Sequence, residues 1–131
     1  MKHRQSVAGL PQPRVLLVAM PYKASCFDRL LDFPNLGLCS IAGNIEDLTT
    51  NIRILDLAVR RRNIARIVRQ ELEGTNPQLI GLSAMSFQYD SARRIARICR
   101  QWNSGVPVAL GGYHATLMYR EIAEGADRRL F

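Results

Sequence analysis

Pro77-Gln-Leu-Ile-Gly-Leu-Ser83, an amphipathic stretch to Trp102, and Val106-Pro-Val-Ala-Leu110 together decide the fold. Leu79 to Ser83 is apolar and too short for a helix, which suits a strand covered on both faces. Asp90 or Ser91 can open the next element. There Ala92, Ile95, Ala96, Cys99 and Trp102 fall on one helical face, and Arg93, Arg94, Arg97 and Arg100 fall elsewhere. Val106 to Leu110 is again of strand length. Pro107 has no N–H for a ladder, so it belongs near the start or the edge of that strand. Strand, helix and strand in this order make a parallel pair joined by a right-handed crossover.

Upstream the alternation continues. Arg14-Val-Leu-Leu-Val-Ala-Met20 reads as a first buried strand and Ile52-Arg-Ile-Leu-Asp-Leu57 as a second. Between them Pro34 is placed to open a helix, and Leu38, Ile41, Ile45 and Leu48 share one face. Asn63 can cap a helix whose stripe is Ile64, Ile67, Val68 and Leu72, with Gly74 near its stop. Downstream a last helix is expected from about Ala115 to Glu124, and a fifth strand would begin near Asp127. The fold class is therefore α/β, a Rossmann-like three-layer sandwich around a parallel sheet. Residues 1–13 are expected to be a flexible leader and residues 14–131 the domain, a piece of a longer protein or one whose last strand is short.

The whole chain has 131 residues, 47% hydrophobic and 22% charged, which is ordinary for one globular domain. No run approaches the ~18 apolar residues that a membrane span needs. The basic, Pro-broken start is no secretory signal. Lys and Arg number 18 against 11 Asp and Glu, a net +7 that is almost all Arg. The arginines interleave with regular apolar stripes, so solvated helix faces explain them better than nucleic-acid binding does. Cys26, Cys39 and Cys99 make neither a disulfide framework nor a CxxC site. The apolar neighbourhoods of Cys39 and Cys99 suggest small buried hydrophobes, and a reducing cytoplasm is the natural compartment.

In an open parallel sheet a ligand lies beyond the carboxyl ends of the strands. The loop after strand one lacks both GxGxxG and GxxxxGK[ST], so it is no phosphate cradle. Its Pro21, Tyr22, Phe27 and Phe33 suit a large, flat, partly apolar ligand, or simply a surface loop. Ser83 and Ser86 offer hydroxyls to a ligand or to a helix cap. Gly111-Gly-Tyr-His-Ala-Thr116 is the most informative segment. Two glycines remove both Cβ atoms, which allows a close approach or a tight turn, and His114 follows at the mouth of the next helix. No paired carboxylates or nucleophile–base pair mark the chain as a catalyst.

In combination, these segments resemble the N-terminal cobalamin-binding domain of cobalamin-dependent radical S-adenosylmethionine enzymes, the group that includes magnesium-protoporphyrin monomethyl ester cyclases. The matching residues are Arg14-Val-Leu-Leu-Val18 with Pro21, Pro34-Asn-Leu-Gly-Leu38 with Ile41-Ala42, and strand two ending in Asp56. Further on they are Pro77 to Ser83, Tyr89-Asp-Ser-Ala92, and Pro107-Val-Ala-Leu-Gly-Gly-Tyr-His-Ala-Thr116. The resemblance implies a flavodoxin-like sheet, order 2-1-3-4-5, with cobalamin as cofactor. The corrin ring would lie over the carboxyl edge and the nucleotide tail would run along the sheet between the loops of strands three and four. Ser83, Met85 and Ser86 would line the tail, Gly111 and Gly112 would let it pass, and Tyr113 and His114 would flank it. Pro34, Leu36 and Gly37 would sit at the rim near the ring.

Two departures qualify that likeness. Mutases and methionine synthases carry DxHxxG after strand one, with the His on cobalt, whereas Pro21 to Phe33 contains no histidine. The CxxxCxxC of a radical iron–sulfur cluster is also missing, so a catalytic S-adenosylmethionine domain would lie beyond Phe131. The expected role is therefore a cofactor-binding module with that domain as partner, with nucleic acid and membrane not expected as partners and no residue of this chain ligating a metal. The alternatives are a degenerate Rossmann-like domain that only makes protein contacts, and an arginine-faced nucleic-acid module. A phosphorylated receiver domain ranks lower, because Asp56 has no second acidic residue at a strand end.

Overall fold

The computed structural model describes residues 11–21, 35–48, 50–58, 60 and 62–131. Four strands, β1 (Val15–Ala19), β2 (Ile52–Asp56), β3 (Leu79–Ser83) and β4 (Val108–Gly111), form one parallel sheet in the order β2-β1-β3-β4. That is the expected 2-1-3-4 arrangement. Where a fifth strand was expected, residues Ala126–Arg129 wind into a 3-10 helix, packed back through side-chain contacts described below.

Helices α2 (Ile64–Thr75) and α3 (Tyr89–Trp102) cover one face of the sheet. Alternate strand residues meet them: Leu16, Val18, Leu55, Ile80, Leu82 and Val108 are buried with Val68, Leu72, Ile95 and Cys99. All the α3 positions foreseen as apolar face inward, four of them fully buried. Burial raises the Cys99 thiol from its ordinary 9.0 to about 11, so it behaves as a hydrophobe; Cys39, also expected to be buried, is exposed. Pro107 sits immediately before β4, which is an edge strand, and its carbonyl still accepts from Ile80 N at 3.0 Å.

The other face is thinner. Helix α1 (Leu36–Asn44) packs on β1 and β2 and fully buries Leu38 against Val15, Leu17 and Ala19. Ile41 and Leu48 are exposed, so the expected four-residue stripe is corrected. The helix stops at Asn44, and residues 45–48 form a turn that carries Leu48 off the face. Asn35 caps this helix, its Oδ1 accepting from Leu38 N at 3.0 Å; Pro34, expected to open it, lies outside the described residues. Over β3 and β4 this face is left partly open: Leu79, Ala109 and Gly111 are exposed, and Gly81 and Ser83 half-buried. The expectation that β3 is buried on both sides thus holds for one side.

Two caps differ from expectation. Asn63 precedes α2 in the left-handed region, with no side-chain cap bond. Asn76 rather than Gly74 ends α2, taking φ 43°. Helix α4 (Tyr113–Glu124) starts two residues earlier than expected, breaks its helical angles at Met118 and fully buries no residue. Among the described residues no helix is long and apolar enough to cross a membrane.

Candidate functional site at the carboxyl edge

The strand ends line up across the sheet as Asp56, Ala19, Ser83 and Gly111, neighbours in register. Asp56 is committed to its own loop, its Oδ1 accepting from Ala58 N at 2.9 Å. Ser83 and Gly111 stand side by side on the partly open face, one step beyond Gly81 and Ala109. Four small residues therefore floor this corner of the sheet.

The loops after β3 and β4 are stitched together beyond that floor. Ala84 N donates to Gly111 O at 3.1 Å, and His114 N donates to Ala84 O at 3.2 Å. This crossing explains one glycine of the pair. Gly112 has φ +89°, and a Cβ there would stand 2.7 Å from Ala84 O and 2.9 Å from Ala84 N. Gly111 is different: a Cβ there would meet nothing nearer than Leu82 O at 3.8 Å, an ordinary contact. The protein's own packing demands Gly112 and leaves Gly111 unexplained.

Met85 and Ser86 follow on the β3 loop, both exposed. Gln88, buried at 6% exposure, anchors that loop: its Oε1 accepts from Met85 N at 3.0 Å and its Nε2 donates to Met20 O at 3.4 Å, tying the β3 loop to the end of β1. Tyr113, exposed, and His114, half-buried, open α4. The His114 ring stacks on Tyr89 at 4.1 Å between centroids, and its Nδ1 is buried without a hydrogen-bond partner. Tyr89 in turn donates its hydroxyl to Asp127 Oδ2 at 3.0 Å. Arg93 Nε stands 2.8 Å from the same oxygen, paired by charge but not aligned as a hydrogen bond. Burial first, and then the Asp127 bond, push the Tyr89 hydroxyl up to about 12.

Ser83, Met85, Ser86, Gly111, Gly112, Tyr113 and His114 are thus gathered around one pair of loops. Leu36, largely exposed, and Gly37 stand at the first turn of α1, which runs back from the same edge of the sheet by its topology. Pro34 lies outside the described residues. Sequence reasoning missed Gln88, Tyr89 and Asp127 as builders of this corner. The signal was weak: a glutamine five residues past a strand end, and an aspartate in a tail taken for a strand. Two of the α3 arginines were also read too plainly as solvated. Arg93 pairs with Asp127, and Arg100 donates to Val106 O at 2.6 Å and Leu130 O at 3.2 Å.

This donor set suits a bulky, partly aromatic organic group better than a metal ion. No group of three or more His, Cys, Asp or Glu side chains is placed to hold a metal among the described residues. A floor without side-chain bulk, one glycine unexplained by packing, a serine beside it and an unpartnered imidazole nitrogen together fit the tail of a nucleotide-bearing corrinoid. The B12 binding domain family matches residues 23–130. The chain belongs to that family, and its cofactor is cobalamin. No curated protein and no solved structure matches it.

Proposed function

We propose that the chain is the cobalamin-binding module of a radical S-adenosylmethionine enzyme, working in the cytoplasm beside a catalytic domain of that type, and is not a catalyst by itself. Bound cobalamin supplies a methyl group or electrons; the module binds and orients it. In this reading the nucleotide tail lies on the open sheet face over Ser83 and Gly111. The Ser83 hydroxyl offers one donor and two lone pairs to the tail. Gly112 shapes the loop crossing, Met85 and Ser86 border the tail, and Tyr113 and His114 flank it. Leu36 and Gly37 stand on the side of the ring, and Pro34 is assigned to the same rim by the likeness of the motifs alone. The likeness of the motifs to the radical-enzyme group supports the partner domain.

The observation that carries the reading is Gly111: a bare backbone position on an uncovered face, next to a serine, where packing asks for no glycine. Hydroxocobalamin titrated into the full chain tests it, followed by the corrin absorption bands and by co-elution on a sizing column. Binding is expected. Gly111→Val should weaken it by about tenfold or more, equivalent to about 1.4 kcal/mol, with an unchanged melting temperature. No band shift and no co-elution with the unaltered chain, or Gly111→Val binding as well as the parent, overturns the proposed site. A contacts-only Rossmann-like domain predicts the first of those results.

A further inference from the structure

The imidazole of His114 is held by very little. Among the described residues its ring makes no hydrogen bond, and its Nδ1 is enclosed without a partner. Among the described residues its one ring neighbour is Tyr89, at 4.1 Å and tilted by 30°. Tyr89 by contrast is fixed from three sides. Its hydroxyl donates to Asp127 Oδ2 at 3.0 Å, the Arg93 guanidinium stands 5.9 Å from its ring centre, and Phe131 lies 6.3 Å away ring to ring. Asp127 is itself gripped by Arg93 at 2.8 Å, and Arg93 also reaches Asp90 at 3.4 Å. Arg100 holds the Leu130 carbonyl at 3.2 Å, which fastens the end of the same segment to α3.

We propose that Tyr89, clamped by Asp127 and Arg93, is the positioning residue for His114, so that the chain's last turn sets the orientation of the imidazole beside the carboxyl edge of β4. The argument rests on which contacts exist. An aromatic ring with no hydrogen bonds takes the orientation its stacking partner permits, and an aromatic pair contributes beyond its buried area. The clamp reaches that partner through one hydroxyl and one carboxylate, both remote in sequence from the strand-end loops. The Tyr89 hydroxyl remains protonated, and therefore a donor to Asp127, across the physiological range. The importance of the imidazole for binding rests on the reading of His114 as part of the cobalamin site; its positioning does not.

Two measurements on the full chain separate these points. In the first, the carbon-bound imidazole protons of His114 are followed by NMR without cobalamin. The Tyr89 ring current should displace them in the parent. Tyr89→Leu should abolish the displacement. Tyr89→Phe and Asp127→Asn, which keep the ring but loosen its tether, should change it partially. Signals indifferent to all three substitutions overturn the proposal, whatever cobalamin does. In the second, hydroxocobalamin affinity is measured for Tyr89→Leu, for His114→Ala and for the double variant. Each single change should weaken binding by about three- to tenfold, and the double variant should be no weaker than His114→Ala. A further additive loss in the double variant overturns the proposal, because Tyr89 would then act by another route. Parent protein that binds no cobalamin, yet keeps the Tyr89-dependent His114 signals, refutes the cobalamin site and upholds the positioning.

Discussion

Gly111 and Gly112 are adjacent and chemically identical, yet different neighbours account for them. Gly112 is locked by backbone: its positive φ and the 2.7 Å approach to Ala84 O leave no room for a side chain. Gly112→Ala should therefore cost about 1–3 kcal/mol of stability, from strain together with the displaced loop crossing, read as a lowered denaturation midpoint. Gly111→Val should leave that midpoint in place while weakening cobalamin. A second residue-scale outcome concerns Cys99. Its thiol titrates at about 11 in the fold against 9.0 when solvated. The unfolded chain releases that proton first as pH rises, so this contribution to stability is complete below about pH 9 and fades as pH climbs toward about 11. At pH 8, alkylation followed by mass spectrometry should modify the exposed Cys39 readily and Cys99 only on unfolding.

Burial is unequal among the elements, and opening should follow it. β1 is buried at all five positions, α3 at four, α1 fully only at Leu38 and α4 at none. Amide exchange should accordingly be slowest in β1, β3 and α3 and fastest in α1 and α4. Leu16→Ala, which empties a site in the layer between β1 and the α2–α3 pair, should cost about 2–5 kcal/mol in a denaturant melt. The same inequality explains what could be read from the residues in advance. The strand Leu79 to Ser83 announces itself by its short apolar run, although only Ile80 and Leu82, on the side of α2 and α3, are buried. The α3 stripe from Ala92 to Cys99 has a period that only one inward face explains. The α1 stripe misled because Leu48 continues an apolar spacing past Asn44, where the helix ends, while Ile41, inside the helix, stays exposed on a thinly covered face. The tail misled because Ala126 to Arg129 earns its place through side chains: Asp127 on Tyr89, and Arg100 on the Leu130 carbonyl. Pairings that far apart leave no local periodicity to read. The loop-end residues Ser83, Gly111 and His114 were legible as a constellation, but their separate roles required knowing which glycine touches Ala84.

For the molecule as a whole, the family identifies the cofactor, while the chain's chemistry limits what it offers to cobalt. The stretch from Pro21 to Phe33 carries no histidine. In cob(II)alamin loaded on the full chain, uniform 15N labelling of the protein should leave the electron paramagnetic resonance superhyperfine pattern unchanged. A pattern that changes with protein labelling would reveal a protein imidazole on the metal. The net charge of +7 looks less like a free binding surface once the α3 arginines are separated: Arg93 and Arg100 are engaged inside the fold, while Arg94 and Arg97 remain outside.

The seam where Ala84 bridges Gly111 and His114 has a kinetic corollary. Backbone is bonded to backbone at that corner with no guest present, so a guest docking against it would forfeit little chain freedom. A guest held by such a ready-made wall should differ from one variant to the next chiefly in how long it stays, with its rate of arrival nearly constant.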